Sequence, residues 1–115
     1  MGTKVSTAIE PLIRRKLFAS EEEALQALLR EYILGQITTL QRGMYRFERK
    51  YGMTFERFRD YLHERSLLLD KGHLSPEQRQ SLSRAIMREE DDWLDWKTTK
   101  EMLESWLGIR QEVGA

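Results

Sequence analysis

The chain has no cysteine, only two prolines and two histidines, and no excess of charge: 19 Lys/Arg offset 19 Asp/Glu. Without cysteine there are no disulfides, no thiolate nucleophile and no Cys-based zinc site. A net charge of zero argues against a general polyanion binder. No uninterrupted apolar stretch approaches the ~20 residues that would span a bilayer, and Met1-Gly2-Thr3-Lys4 lacks the apolar run of a signal peptide. A soluble cytoplasmic protein with no membrane partner is the expectation. There is no Gly-rich phosphate loop and no HExxH zinc motif. His63 and His73 have no serine or acid placed beside them in a nucleophile motif. The acidic run Glu89-Glu90-Asp91-Asp92, followed by Asp95, lacks the histidine at i+3 or i+4 that helical di-metal sites use. The chain is therefore expected not to be an enzyme and to bind neither cofactor nor metal.

What is present is helical pattern. Hydrophobic residues make up 40% and charged residues 33%, a mix that suits helices with solvated faces. Ser20 and Glu23 have capping-box spacing. Beyond them Ile33, Ile37, Leu40, Met44, Phe47 and Tyr51 recur at alternating steps of four and three. These six fall within roughly an 80° stripe, the geometry of a helix–helix seam. Arg42, Arg46, Arg49 and Lys50 form a basic ridge on the opposite side.

Toward the N-terminus, Val5, Ala8, Ile9, Leu12, Ile13 and Leu17 follow helical spacing, with Thr7 and Glu10 as a second capping pair and Pro11 in the first turn. The rival reading makes Val5–Ile9 a short strand that ends before Pro11. Gly52 and Thr54 read as a stop and a new N-cap. Ser75-Pro76-Glu77-Gln78 is the clearest start signal in the chain. After it Leu82, Ile86, Trp93, Trp96, Leu103 and Leu107 share a seam, and Gly108 can supply the cap.

The expected fold is all-α: one domain over 1–115, with helices near 6–17, 20–51, 54–70 and 76–107. Two helices of about 30 residues are each about 45 Å long, more than a compact domain of this size is wide. The Ile33–Tyr51 seam is therefore expected between chains, in a homodimer or larger assembly. Charge divides along the chain, with 11 Lys/Arg against 8 Asp/Glu in residues 1–60 and the reverse balance, 8 against 11, in residues 61–115.

The stretch Leu17 to Ile33, LFASEEEALQALLREYI, resembles the second-helix segment of small antitoxins of type II toxin–antitoxin modules. The positions that carry the likeness are Ser20, Glu23, Ala24, Leu28, Leu29, Arg30 and Tyr32. Ribbon-helix-helix repressors share this pattern, although only seven residues separate Pro11 from Ala19 here, too few for their usual first helix. The resemblance implies a protein that neutralises a cognate toxin and regulates its own operon. On that reading residues 1–52 mediate self-association and residues 53–115 capture the toxin. Trp93, Trp96, Met102 and Trp106 would be anchors, with Glu89, Glu90, Asp91 and Asp92 meeting a basic toxin surface. Operator DNA would be met by Lys4, Arg14, Arg15 and Lys16 from paired N-termini. The alternatives are a DNA-binding repressor alone, or a structural helical adaptor with no toxin.

Overall fold

The computed structural model describes residues 2–114, and they form four helices in chain order: α1 (Gly2–Arg14), α2 (Glu21–Tyr51), α3 (Phe55–Lys71) and α4 (Pro76–Gly114). The all-α expectation holds, and no strand occurs among the described residues. Val5–Ile9 is helical because the 3.6-residue period of its apolar positions outweighs their short alternation. The helix starts earlier than the Thr7–Glu10 pair indicated, so Pro11 lies inside α1 and not in its first turn. It also ends earlier. Leu17 N–H donates to Leu12 C=O and Lys16 N–H to Ile13 C=O, both at 2.9 Å, the paired bonds of a Schellman motif. That motif places Lys16 at φ +59°, a left-handed conformation that favours glycine.

The other boundaries follow their caps. Ser20 Oγ accepts from Glu23 N–H at 3.1 Å, and the Glu23 carboxylate accepts from Ala19 N–H. Glu21, Glu22 and Glu23 sit at the positive end of the α2 dipole, with Arg49 and Lys50 at its negative end. Gly52 closes α2 at φ +65°. Thr54 accepts from Arg57 N–H to start α3, and Ser75 and Gln78 form a reciprocal capping box for α4. The end of α4 departs from expectation, since the helix runs through Gly108 to Gly114. A helical glycine costs about 1 kcal/mol, and half-buried Ile109 and Val113 beyond it offset that cost.

The chain packs as two units, Met1–Thr38 with Ser105–Ala115, and Thr39–Glu104. In the first, Ile9, Ala24, Ile33 and Ile37 are buried. Tyr32 meets Trp106 edge-on at 5.8 Å, and Ser6 Oγ donates to Glu21 at 2.7 Å. In the second, Phe58, Leu62 and Trp96 form a core closed by Met44, Phe47, Tyr51, Phe55, Tyr61 and Trp93. Trp96 is fully buried, with the rings of Phe47, Phe55 and Phe58 centred 5.5–5.6 Å away. Gly43 allows α2 and α4 to approach closely, because a Cβ there would stand 3.2 Å from Thr99 Cγ2.

Candidate functional site

The acidic run on α4 divides between two faces. Asp92 turns inward and accepts from Lys50 Nζ at 2.6 Å and from the Tyr51 hydroxyl, both in the last turn of α2. Glu89 also turns inward, facing Arg65 Nε of α3 at 2.9 Å without the alignment of a hydrogen bond. Its other oxygen accepts from the Tyr61 hydroxyl at 3.3 Å. Only Glu90 and Asp91 of the four are exposed. Burial pushes the Asp92 carboxyl up, but the hydrogen bonds from Lys50 and Tyr51 and the Lys50 charge outweigh it and hold it below the usual range. Burial, then the bond to Asp92, pushes the Tyr51 phenol well above its ordinary value. Tyr61 is raised by burial and by the charge of Glu89. Asp92 is thus ionised and Tyr51 protonated across the physiological range, an arrangement that fastens α2 to α4. Glu89 and Asp92, expected to meet a partner, are engaged within the chain instead.

The expected aromatic anchors are also distributed. Trp96 is the centre of the core and offers nothing to a partner. Trp93 is half-buried, stacked on Phe55 at 5.9 Å with Lys97 Nζ 5.3 Å from its ring centre. Trp106 packs on Tyr32 in the other unit. Met102 alone of the four is exposed. The Nε1–H groups of Trp93 and Trp96 are buried and have no acceptor among the described residues.

What α3 and α4 present together is a groove lined by Arg59, Leu62, His63 and Ser66 on one side and Glu90, Trp93 and Leu94 on the other. Its floor is apolar and its rim carries both signs of charge. Leu94 is 54% exposed at its edge. Of these residues Glu90 and Trp93 belong to the set expected from the sequence. Leu94, Arg59, His63 and Ser66 were not among them, because only the pairing of α3 with α4 brings them alongside.

The seam from Ile33 to Tyr51 is occupied inside one chain. Ile33 and Ile37 are 1–2% exposed, and Met44, Phe47 and Tyr51 pack on the Phe58–Leu62–Trp96 core. Leu40 is half-buried. The expectation that this stripe lies between chains is corrected for Ile33 and Ile37, which are covered within one chain. The basic ridge keeps Arg42, Arg46 and Arg49, which line one shallow groove with Tyr45, but loses Lys50 to Asp92. Lys4 lies near the start of α1 and Arg14 at its end, about 15 Å apart along the helix. Arg14 already faces Glu10 at 3.6 Å, so these cations do not converge within one chain. Arg15 and Lys16 are exposed.

Among the described residues no group of three or more His, Asp or Glu side chains is placed to hold a metal ion, and no helix is long and apolar enough to cross a membrane. In comparison with known proteins, no family model, no curated protein and no solved structure matches the chain.

Proposed function

We propose that the chain is an antitoxin-like binding protein of the cytoplasm that captures a cognate toxin in the α3–α4 groove and neutralises it by occlusion. The observation that carries the binding reading is the groove itself, with an apolar floor of Leu62 and Trp93, exposed Leu94 at its edge and Arg59, His63 and Glu90 around it. An apolar pocket ringed by a few polar groups suits a partner's projecting side chain, and a central anchor supplies most of the affinity of such contacts. Glu89 and Asp92, the inward members of the acidic run, are committed to fastening helices, which suits binding better than catalysis. That the partner is a toxin rests on the likeness of Ser20–Tyr32 to antitoxin helices.

The test is co-expression with the small reading frame adjacent to the gene. The expected result is that the neighbour alone arrests growth, that the chain restores it, and that Leu94→Asp abolishes both rescue and co-purification while leaving the chain helical. A neighbour without toxicity, or full rescue by the Leu94 variant, refutes the proposal. Repression of its own promoter is a second role, supported by the exposure of Lys4, Arg14, Arg15 and Lys16. It predicts retardation of promoter DNA at low salt that falls steeply as salt rises. No retardation at low salt removes that role.

A further inference from the structure

Arg42, Tyr45, Arg46 and Arg49 lie at i, i+3, i+4 and i+7 on α2, on the side turned away from the Phe58–Leu62–Trp96 core, and line one shallow groove. All four are exposed, Tyr45 at 60%, and the Arg49 guanidinium lies 5.6 Å from the centre of the Tyr45 ring. Among the described residues none of the three arginines makes an ion pair. No carboxylate shares this face between Thr38 and Arg49. Glu48 projects about 110° round the helix from its centre, and Glu31 stands about 16 Å back along the axis. Like charges at these spacings weaken the helix that carries them. In a chain whose 19 basic and 19 acidic residues balance, three uncompensated guanidiniums in one groove make a local positive field.

We infer that this groove binds single-stranded nucleic acid, with the arginines on successive phosphates and an unpaired base stacked on Tyr45. Arg42 to Arg49 covers about 10 Å of helix, over which a stacked strand presents roughly three phosphates at about 3.4 Å each. Guanidinium forks grip phosphate oxygens in pairs, and every basic residue of the groove is an arginine. Arg49 lies over one face of the Tyr45 ring and leaves the other to a base, a contact that tolerates any base because each has a π-face. Other anionic partners fit less well. A membrane-surface helix needs an apolar face to insert, and between Thr38 and Arg49 this side carries no aliphatic residue. An acidic protein needs an apolar centre larger than one exposed ring. Duplex DNA keeps its bases stacked on one another and gives Tyr45 no role. The groove is separate from Lys4, Arg14, Arg15 and Lys16 and from the α3–α4 groove, so the inference rests on neither the toxin nor the repressor reading.

The experiment is fluorescence anisotropy of the full chain with short labelled oligouridylate and oligothymidylate, and with a duplex of the same length, at about 50 mM salt. Binding of either single strand is expected, with a slope of log affinity on log salt of about −2 for three phosphate contacts. Tyr45→Ala is expected to weaken single-strand binding by about five- to 150-fold and Tyr45→Phe to preserve it. Duplex binding, whatever its strength through the N-terminal cations, is expected to be the same for Tyr45→Ala and wild type. Arg46→Gln is expected to flatten the salt slope by about 0.7. Arg84→Gln removes the same charge from an exposed position on α4 and is expected to change affinity by less than about twofold. A wild type that binds neither single strand at about 100 μM overturns the inference. So does a folded Tyr45→Ala chain that binds single strands as wild type does, or that loses duplex binding equally. Should Tyr45→Ala lose its helical circular dichroism, the arginines decide: a slope flattened by Arg46→Gln alone upholds the groove, and one altered equally by both variants, or by neither, overturns it.

Discussion

Replacing Trp96 with alanine separates a core tryptophan from an interface tryptophan. Its indole is fully buried and surrounded by the rings of Phe47, Tyr51, Phe55 and Phe58 at 5.5–6.3 Å. Truncating a buried Trp, its ring contacts included, costs about 3–5 kcal/mol. The opposing effect is the unpaired Nε1–H, whose removal returns about 1–3 kcal/mol. The net expectation for Trp96→Ala is a loss of about 2 kcal/mol. With a urea slope of about 1–3 kcal/mol/M, the unfolding midpoint falls by about 0.7–2 M. Trp96→Phe keeps the stacking and loses the unpaired donor, so it is expected to cost about 1 kcal/mol. Leu94→Ala, at an exposed groove edge, is expected to change stability by less than about 1 kcal/mol. Urea titration of the three variants by circular dichroism checks the order. A Trp96→Ala midpoint indistinguishable from that of wild type refutes the placement of Trp96 at the centre of the core.

Stability is expected to fall at both ends of the pH range. The Asp92 carboxyl is held low, so its contribution is complete above the ordinary value of 3.8 and is lost as pH falls through its folded value. Tyr51 is held high, so its contribution is complete below 10.0 and is lost as pH rises beyond that; melting temperature against pH for wild type and Asp92→Asn checks the acid limb, which the variant flattens. Gly35→Ala is expected to stabilise by about 1 kcal/mol, because a Cβ there meets nothing within 4 Å, whereas Gly43→Ala gains less against Thr99 at 3.2 Å. Thermal denaturation of the two orders them, and the reverse order removes the claimed close approach. Lys16→Gly is expected to stabilise by about 1 kcal/mol by relieving the left-handed backbone, and an unchanged melting temperature counts against the Schellman end of α1.

Helices were legible in the sequence wherever a cap and a period agreed, as at Ser20, Thr54 and Ser75. They were misplaced where one spoke without the other. Thr7 and Glu10 have the spacing of a cap but lie inside α1, because the apolar period of α1 extends back through Val5. Gly108 looks like a C-cap, yet Ile109 and Val113 continue the burial beyond it. The seams were read correctly as faces and incorrectly as to what covers them. Periodicity tells which side of a helix avoids water, and it is silent on whether the cover comes from the same chain. Hence Ile33 and Ile37 were expected between chains and are closed within one. The acidic run read as a charged patch because sequence cannot tell that Glu89 and Asp92, three residues apart, share an inward face opposite Arg65 and Lys50. The groove of Arg59, His63 and Leu94 depends on how two helices separated by a loop align, information that no local pattern holds.

The distribution of the three tryptophans equips the chain with a fluorescence readout of its own. Trp96 is sealed among rings, Trp93 is stacked on Phe55 beneath a lysine, and Trp106 faces Tyr32 in the other unit. Retaining Trp106 alone, with phenylalanine at 93 and 96, makes emission follow the unit that holds the N-terminus, and replacing Trp106 makes it follow the other. Two titrations of these proteins then show whether α2 and α4, each threading both units, melt as continuous rods or come apart in separate stages.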